Sequence, residues 1–134
     1  VPVAIRVLIV EDDPDSSDAL KLLLEHEGFA VERAASVRET RSHLDACRRN
    51  GAPSVDVVVL DLGLPDFSPI VLADEFRRLD APPAIIVHSA APRDIVHAAA
   101  IALGAVGQVR KPSDCHELIG LIRAAAGHAL PAIR

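Results

Sequence analysis

The chain has 134 residues, 50% hydrophobic and 25% charged, the composition of one domain with a core large enough to fold without metal or disulfides. Nineteen Asp and Glu against fourteen Lys and Arg leave a net charge of −5 with no basic stripe, which argues against direct nucleic-acid binding. No apolar run approaches the ~18 residues of a membrane span, and Cys47 and Cys115 have neither metal-site nor disulfide-framework spacing, so the expected setting is cytoplasmic, away from membranes.

In chain order, residues 4–10 form a nearly unbroken Val/Ile-rich run that reads as a strand buried on both faces, and residues 55–60, 84–87 and 106–109 repeat the pattern. Between the first two lies an alternating stretch, residues 29–34, expected nearer a sheet edge. Asp13 is expected to cap a helix opening at Pro14, with Ala19, Leu20, Leu23 and Leu24 on its inner face and Gly28 as its stop. Ser36 and Glu39 form a capping box for a second helix that carries Val37, Thr40, Leu44 and Cys47 inward and runs up to Gly51. A third helix buries Leu72, Phe76 and Leu79. Residues 92–103 give an Ala-rich fourth helix closed by Gly104, expected to be the most loosely anchored. Asp114 caps a fifth, with Leu118, Leu121, Ile122 and Ala125 inward and its end at Gly127. Strand and helix thus alternate five times, which predicts an α/β fold: a doubly wound, five-stranded parallel sheet with helices on both faces. The domain is expected over residues 1–127, with 128–134 as tail or start of a linker. A chain opening at Val1 without any methionine is expected to be a piece of something longer.

In such a sheet the ligand crevice lies at the carboxyl ends of the strands. Those ends carry Glu11, Asp12 and Asp13, then Asp61, then Ser89, then Lys111. Carboxylates converging without cation neighbours would repel one another unless a hard cation neutralises them, and oxygen donors with no His or Cys favour Mg²⁺ over Ca²⁺ or Zn²⁺. A metal, a free carboxylate, a hydroxyl and an ammonium in one crevice suggest phosphoryl transfer with Asp61 as nucleophile.

The segments VLIVEDDPDS, VVVLDLGLPD, IIVHSA and GAVGQVRKP, in that order and each at an expected strand end, resemble the signature segments of the receiver domain of two-component response regulators, over residues 6–127. The resemblance implies a flavodoxin-like receiver fold and a phosphoprotein that takes a phosphoryl group onto Asp61 from a sensor histidine kinase or phosphotransfer protein, with Mg²⁺, and later hydrolyses it. Glu11 and Asp12 match the family's metal-binding acidic pair, and Gly63 the residue whose carbonyl completes the metal site. Lys111 matches the lysine that reaches the phosphoryl oxygens, with Pro112 as its cis-peptide partner. Ser89 matches the hydroxyl that binds the phosphorylated aspartate, with capping of the next helix as a rival role, and Ala90 the small residue beside it. Asp13 falls outside the acidic pair and reads as a helix cap. The family also uses homodimers through the fourth helix, fifth strand and fifth helix.

Three positions depart from the pattern. Gln108 stands where the family carries a Tyr or Phe that swings inward, so the switch formed by Ser89 and residue 108 is expected to be altered. Pro69 replaces a glycine and predicts an altered loop around residues 67–69, since proline cannot adopt positive φ. His88 replaces an apolar residue and reads as a satisfied, partly buried histidine. Cys115 is expected to be a buried or half-buried thiol, and the pairs Arg48/Arg49 and Arg77/Arg78 solvated helix ends. Two other classes compete: a pseudo-receiver acting as a phosphorylation-independent interaction module, against which the acids, Ser89 and Lys111 argue, and an aspartyl phosphohydrolase, which wants a second acid where Gly63 stands.

Overall fold

A computed structural model describes residues 3–49, 51, 54–113 and 115–129. The elements alternate as the pattern predicts: β1 (Arg6–Val10), α1 (Pro14–His26), β2 (Ala30–Ala34), α2 (Val37–Arg49), β3 (Val57–Leu60), α3 (Pro69–Arg77), β4 (Ala84–Ser89), α4 (Arg93–Leu103), β5 (Gly107–Arg110) and α5 (Cys115–Ala129). The strands form one parallel sheet in the order β2-β1-β3-β4-β5.

That order explains which strands are wholly apolar. β1, β3 and β4 are interior and covered on both faces, so successive residues point into two different cores. Leu8, Val10, Val58, Leu60, Ile85 and Val87 face α2, α3 and α4, meeting Leu44, Leu72, Phe76 and Val96. Val7, Ile9, Val57, Val59 and Ile86 face α1 and α5, meeting Leu24, Leu118 and Ile122. Leu60 is fully buried, and truncating it to Ala costs about 2–5 kcal/mol.

β5 departs from the reading of its stretch as buried on both faces. It is the second edge of the sheet, with Val109 buried, Gln108 half-buried, and Arg110 and Val106 exposed, because no strand or helix covers its outer side. β2, expected near an edge, is the other. In α1 the inner face is rotated slightly: Ala19 is exposed, Ser17 takes a buried place, and Leu24 anchors the helix. α5 runs to Ala129, past the expected stop at Gly127, while Asp114 and residues 130–134 lie outside the described residues. α4 ends as predicted at Gly104, whose φ of 67° is the left-handed conformation that closes a helix without Cβ strain. Two of its four buried residues are alanines, Ala99 and Ala100 beside Val96 and Leu103, so it grips the sheet shallowly. Among the described residues no helix is long and apolar enough to cross a membrane.

Candidate functional site

Parallel pairing continues one bond beyond three of the strands, and this sets the site. The Glu11 N–H donates to the Ala34 carbonyl at 3.0 Å, the Asp61 N–H to Val10 at 2.9 Å, and the Lys111 N–H to Ser89 at 2.9 Å. Each polar residue is therefore held in sheet register while its side chain leaves the protected core. Glu11, Asp61 and Lys111 meet there: the Lys111 Nζ donates to Asp61 Oδ2 at 3.0 Å and makes a close ion pair with Glu11 Oε1. The Lys111–Pro112 peptide bond is cis, as the resemblance implies.

The two acids are pushed apart electrostatically. Burial raises the Glu11 carboxyl above the usual range, Lys111 offsets only part of this, and the nearby Asp61 adds to it. Burial acts on Asp61 in the same direction, but the Gly63 N–H at 3.0 Å, Lys111 and Glu11 outweigh it and hold that carboxyl below its ordinary value. Lys111 loses to burial but gains more from the two carboxylates, so its ammonium is stabilised. Asp61 is thus the acid kept ionised, as a nucleophile requires, and Glu11 is the one that accepts a proton first.

The sequence places one cation, Lys111, in the crevice with the acids, and the structure shows where its charge goes. Lys111 itself lies between Glu11 and Asp61 and supplies the neutralising charge. Among the described residues no three of Asp, Glu, His and Cys are grouped so as to hold a metal. Asp12 is exposed and makes no ion pair among the described residues. The carboxylates nevertheless suit a hard cation, since Glu11, Asp12 and Asp61 offer oxygen, while the nearby imidazole, His88, has its Nε2 against Ser113.

Ser89 ends β4 and is buried, its Oγ accepting the Ala91 N–H at 3.2 Å. It closes the turn before α4 rather than capping that helix, whose N-cap is Pro92 with no side-chain hydrogen bond. Ala90 is exposed beside it. Asp13 caps α1 as expected, accepting from the Ser16 N–H at 3.1 Å and the Ser16 hydroxyl at 2.6 Å. Pro69 occupies the first position of α3 after the cap Ser68, where a fixed φ is an advantage, which explains how proline is accommodated. His88 is half-buried, with Nε2 3.4 Å from the Ser113 Oγ; burial first, then the Lys111 charge, lower its pKa to about 4. Cys115 is exposed, contrary to expectation, because the first turn of α5 faces outward. Gln108 lies on the sheet face covered by α4 and makes no side-chain hydrogen bond among the described residues.

Two contacts of consequence went unread in the sequence, although Asp66 itself closes the segment VVVLDLGLPD. Asp66, in the loop after β3, accepts the Val37 N–H at 2.9 Å and the Arg38 N–H at 3.2 Å, so it caps α2 from another segment. Arg110 donates from Nε to the Ala91 carbonyl at 3.1 Å. Both contacts join residues far apart in the chain, and only the strand order brings them together. On either side of Asp61 and Lys111 a groove of about 690 Å³ opens, one along Leu20, Leu23 and Leu118, the other along Phe67, Ile95 and Ala98.

Comparison with known proteins places this geometry in context. The family model described as the response regulator receiver domain matches residues 7–123. Among curated proteins, the KDP operon transcriptional regulatory protein KdpE of Escherichia coli is 35% identical over 90% of this chain and 50% of its own length. The virulence transcription regulator BvgA of Bordetella pertussis is 29% identical over 89% of this chain and 54% of its own. This chain therefore spans about half the length of the curated relatives it matches. A CheY-like receiver domain from Methanospirillum hungatei superposes with a TM-score of 0.80 at 23% identity, covering 95% of this chain and 97% of its own.

Proposed function

The chain belongs to the response regulator receiver family of two-component systems, and on that premise we propose that it is a working phosphoacceptor switch with Asp61 as the acceptor. The observation that carries this reading is geometric: Asp61 follows β3 directly, accepts the Gly63 N–H at 3.0 Å and bonds the Lys111 ammonium at 3.0 Å, an arrangement that favours its ionised form. A catalytic carboxylate with a cation at bonding distance is poised for attack on an electrophilic phosphorus.

The donor is a phosphohistidine on a sensor histidine kinase or phosphotransfer protein. An Asp61 carboxylate oxygen forms the new O–P bond as the P–N bond breaks, and the electron pair leaves on the donor imidazole. Lys111 stabilises the charge on the phosphoryl oxygens, and the Ser89 hydroxyl binds one of them afterwards. Glu11, Asp12 and Asp61, with the Gly63 carbonyl, are the residues the family resemblance gives to Mg²⁺. With Lys111 between two of them they are not grouped as a metal site, and a bound Mg²⁺ would have to draw them together, where it would neutralise phosphoryl charge beyond what a single ammonium supplies. Water attack on the aspartyl phosphate returns the carboxylate and releases inorganic phosphate. Gln108 belongs to the α4–β5 surface that answers Ser89. That surface exposes Ile101 and Val106 and is the face through which a homodimer would form. Two curated relatives are transcription regulators, and control of such an output is the use this reading assigns.

Incubation with Mg²⁺ and acetyl phosphate followed by intact mass spectrometry tests the reading. A single phosphoryl adduct is expected, absent in Asp61→Asn and in EDTA. An adduct that survives Asp61→Asn overturns the assignment, and the absence of both an adduct and beryllofluoride binding in the unaltered protein favours an interaction module without phosphorylation.

A further inference from the structure

Ser89 and Arg110 are register partners across the β4–β5 ladder, so their side chains leave the sheet on the same face, the one α4 covers. There they grip one residue from two sides. The Ser89 Oγ accepts the Ala91 N–H at 3.2 Å, and the Arg110 Nε donates to the Ala91 carbonyl at 3.1 Å. Ala91 also packs half-buried against the core, but among the described residues few other hydrogen bonds hold the turn. Pro92 follows with no N–H to give, and α4 begins without a side-chain cap. Arg110 makes no ion pair among the described residues, so its guanidinium is committed to a neutral carbonyl. Its exposed position on an edge strand puts its other end at the molecular surface.

We propose that Arg110 is a positioning residue for the Ser89 hydroxyl, acting through Ala91, and that it conveys the state of that hydroxyl to the α4–β5 surface. The second half rests on the reading of Asp61 as phosphoacceptor. While Ser89 bonds the Ala91 amide, Arg110 holds the same residue's carbonyl and the turn is clasped. When the hydroxyl turns to a phosphoryl oxygen, the Ala91 amide is released, Arg110 becomes the sole tie, and the turn and the arginine move together. An output partner at this surface would then meet a displaced guanidinium without any aromatic ring having to swing.

Amide exchange and chemical shifts of ¹⁵N-labelled protein, as wild type, Arg110→Ala and Arg110→Lys, with and without Mg²⁺ and beryllofluoride, test both halves. Arg110 is exposed, so the variants are expected to fold. Without beryllofluoride, losing the carbonyl tie should raise Ala91 amide exchange about three- to tenfold, with partial rescue by lysine. Unchanged exchange overturns the positioning role. With beryllofluoride, wild-type shifts should extend into α4 and β5, whereas in Arg110→Ala they should stay near Asp61 and Ser89. The same spread in both proteins overturns the relay. Failure of the wild type to bind beryllofluoride, read at the Asp61 amide, overturns the phosphoacceptor reading and the relay with it, while the first comparison still decides positioning.

Discussion

The two flanks of Asp61 are built on opposite terms. On one side Lys111 is locked by two carboxylates, and the loop that follows it is pinned where Ser113 meets His88. On the other side Ser89 and its turn are held by one neutral hydrogen bond and one from the Arg110 guanidinium to an uncharged carbonyl, with no ion pair among the described residues, next to a helix seated partly on alanines. A group that must stabilise developing charge gains from being fixed beforehand, because no energy is then spent reorganising it. A group that must signal gains from being weakly held, since a few tenths of a kcal/mol to about 1 kcal/mol then suffices to move it.

The strongest way to break this contrast is Lys111→Met. It leaves Glu11 buried without its cation, and the expected loss is about 2 kcal/mol in urea unfolding, discounted for the partial exposure of the pair, with adduct formation at least ~10-fold slower. If that variant is no less stable than Ser89→Ala, the locked flank is not locked.

His88 sharpens the same side. Its pKa is about 4 in the folded chain against an ordinary 6.5, so between those values the unfolded chain binds the extra proton and stability falls as pH falls. His88→Leu should flatten stability across that window, a difference on the order of 1–2 kcal/mol at its acid end. An unaltered pH profile would mean that His88 is more solvated than its place against Ser113 implies. Ser89→Ala strands the Ala91 N–H and should cost about 1 kcal/mol. Gln108→Ala, which removes no hydrogen bond, should change unfolding by less than about 0.5 kcal/mol; a larger effect would show that the signalling flank is held more tightly than its bonds suggest.

The locked flank was also the legible one. The runs around Val7, Val57 and Ile86 declare interior strands because burial on both faces tolerates nothing polar, and Glu11, Asp61 and Lys111 stand immediately after strands, where pairing carries them into the site. What escaped depends on packing between distant segments. The stretch at residues 106–109 reads as apolar at Val106 and Val109, but β5 itself keeps only Val109 of these, and its edge position follows from strand order. Lys111 was legible as the cation of the crevice, but its place between Glu11 and Asp61 was not, because spacing locates a lysine without saying where a long flexible side chain ends. Ser17 rather than Ala19 lies on the inner face of α1 because Ser17, Leu20 and Leu24 recur at i, i+3 and i+7, so helical spacing from the anchor Leu24 selects a hydroxyl that an apolar pattern passes over.

The carboxylate of Asp66 has a kinetic consequence. It belongs to the loop after β3, the strand that leads to Asp61, yet it accepts two N–H groups in the first turn of α2, beside the Ser36 hydroxyl that accepts a third. Fraying of that turn and opening of that loop are therefore one cooperative event, and the Val37 and Arg38 amides should exchange at a common rate. Those two amides act as a clock for the loop after β3, read in a helix that lies outside the Asp61 site.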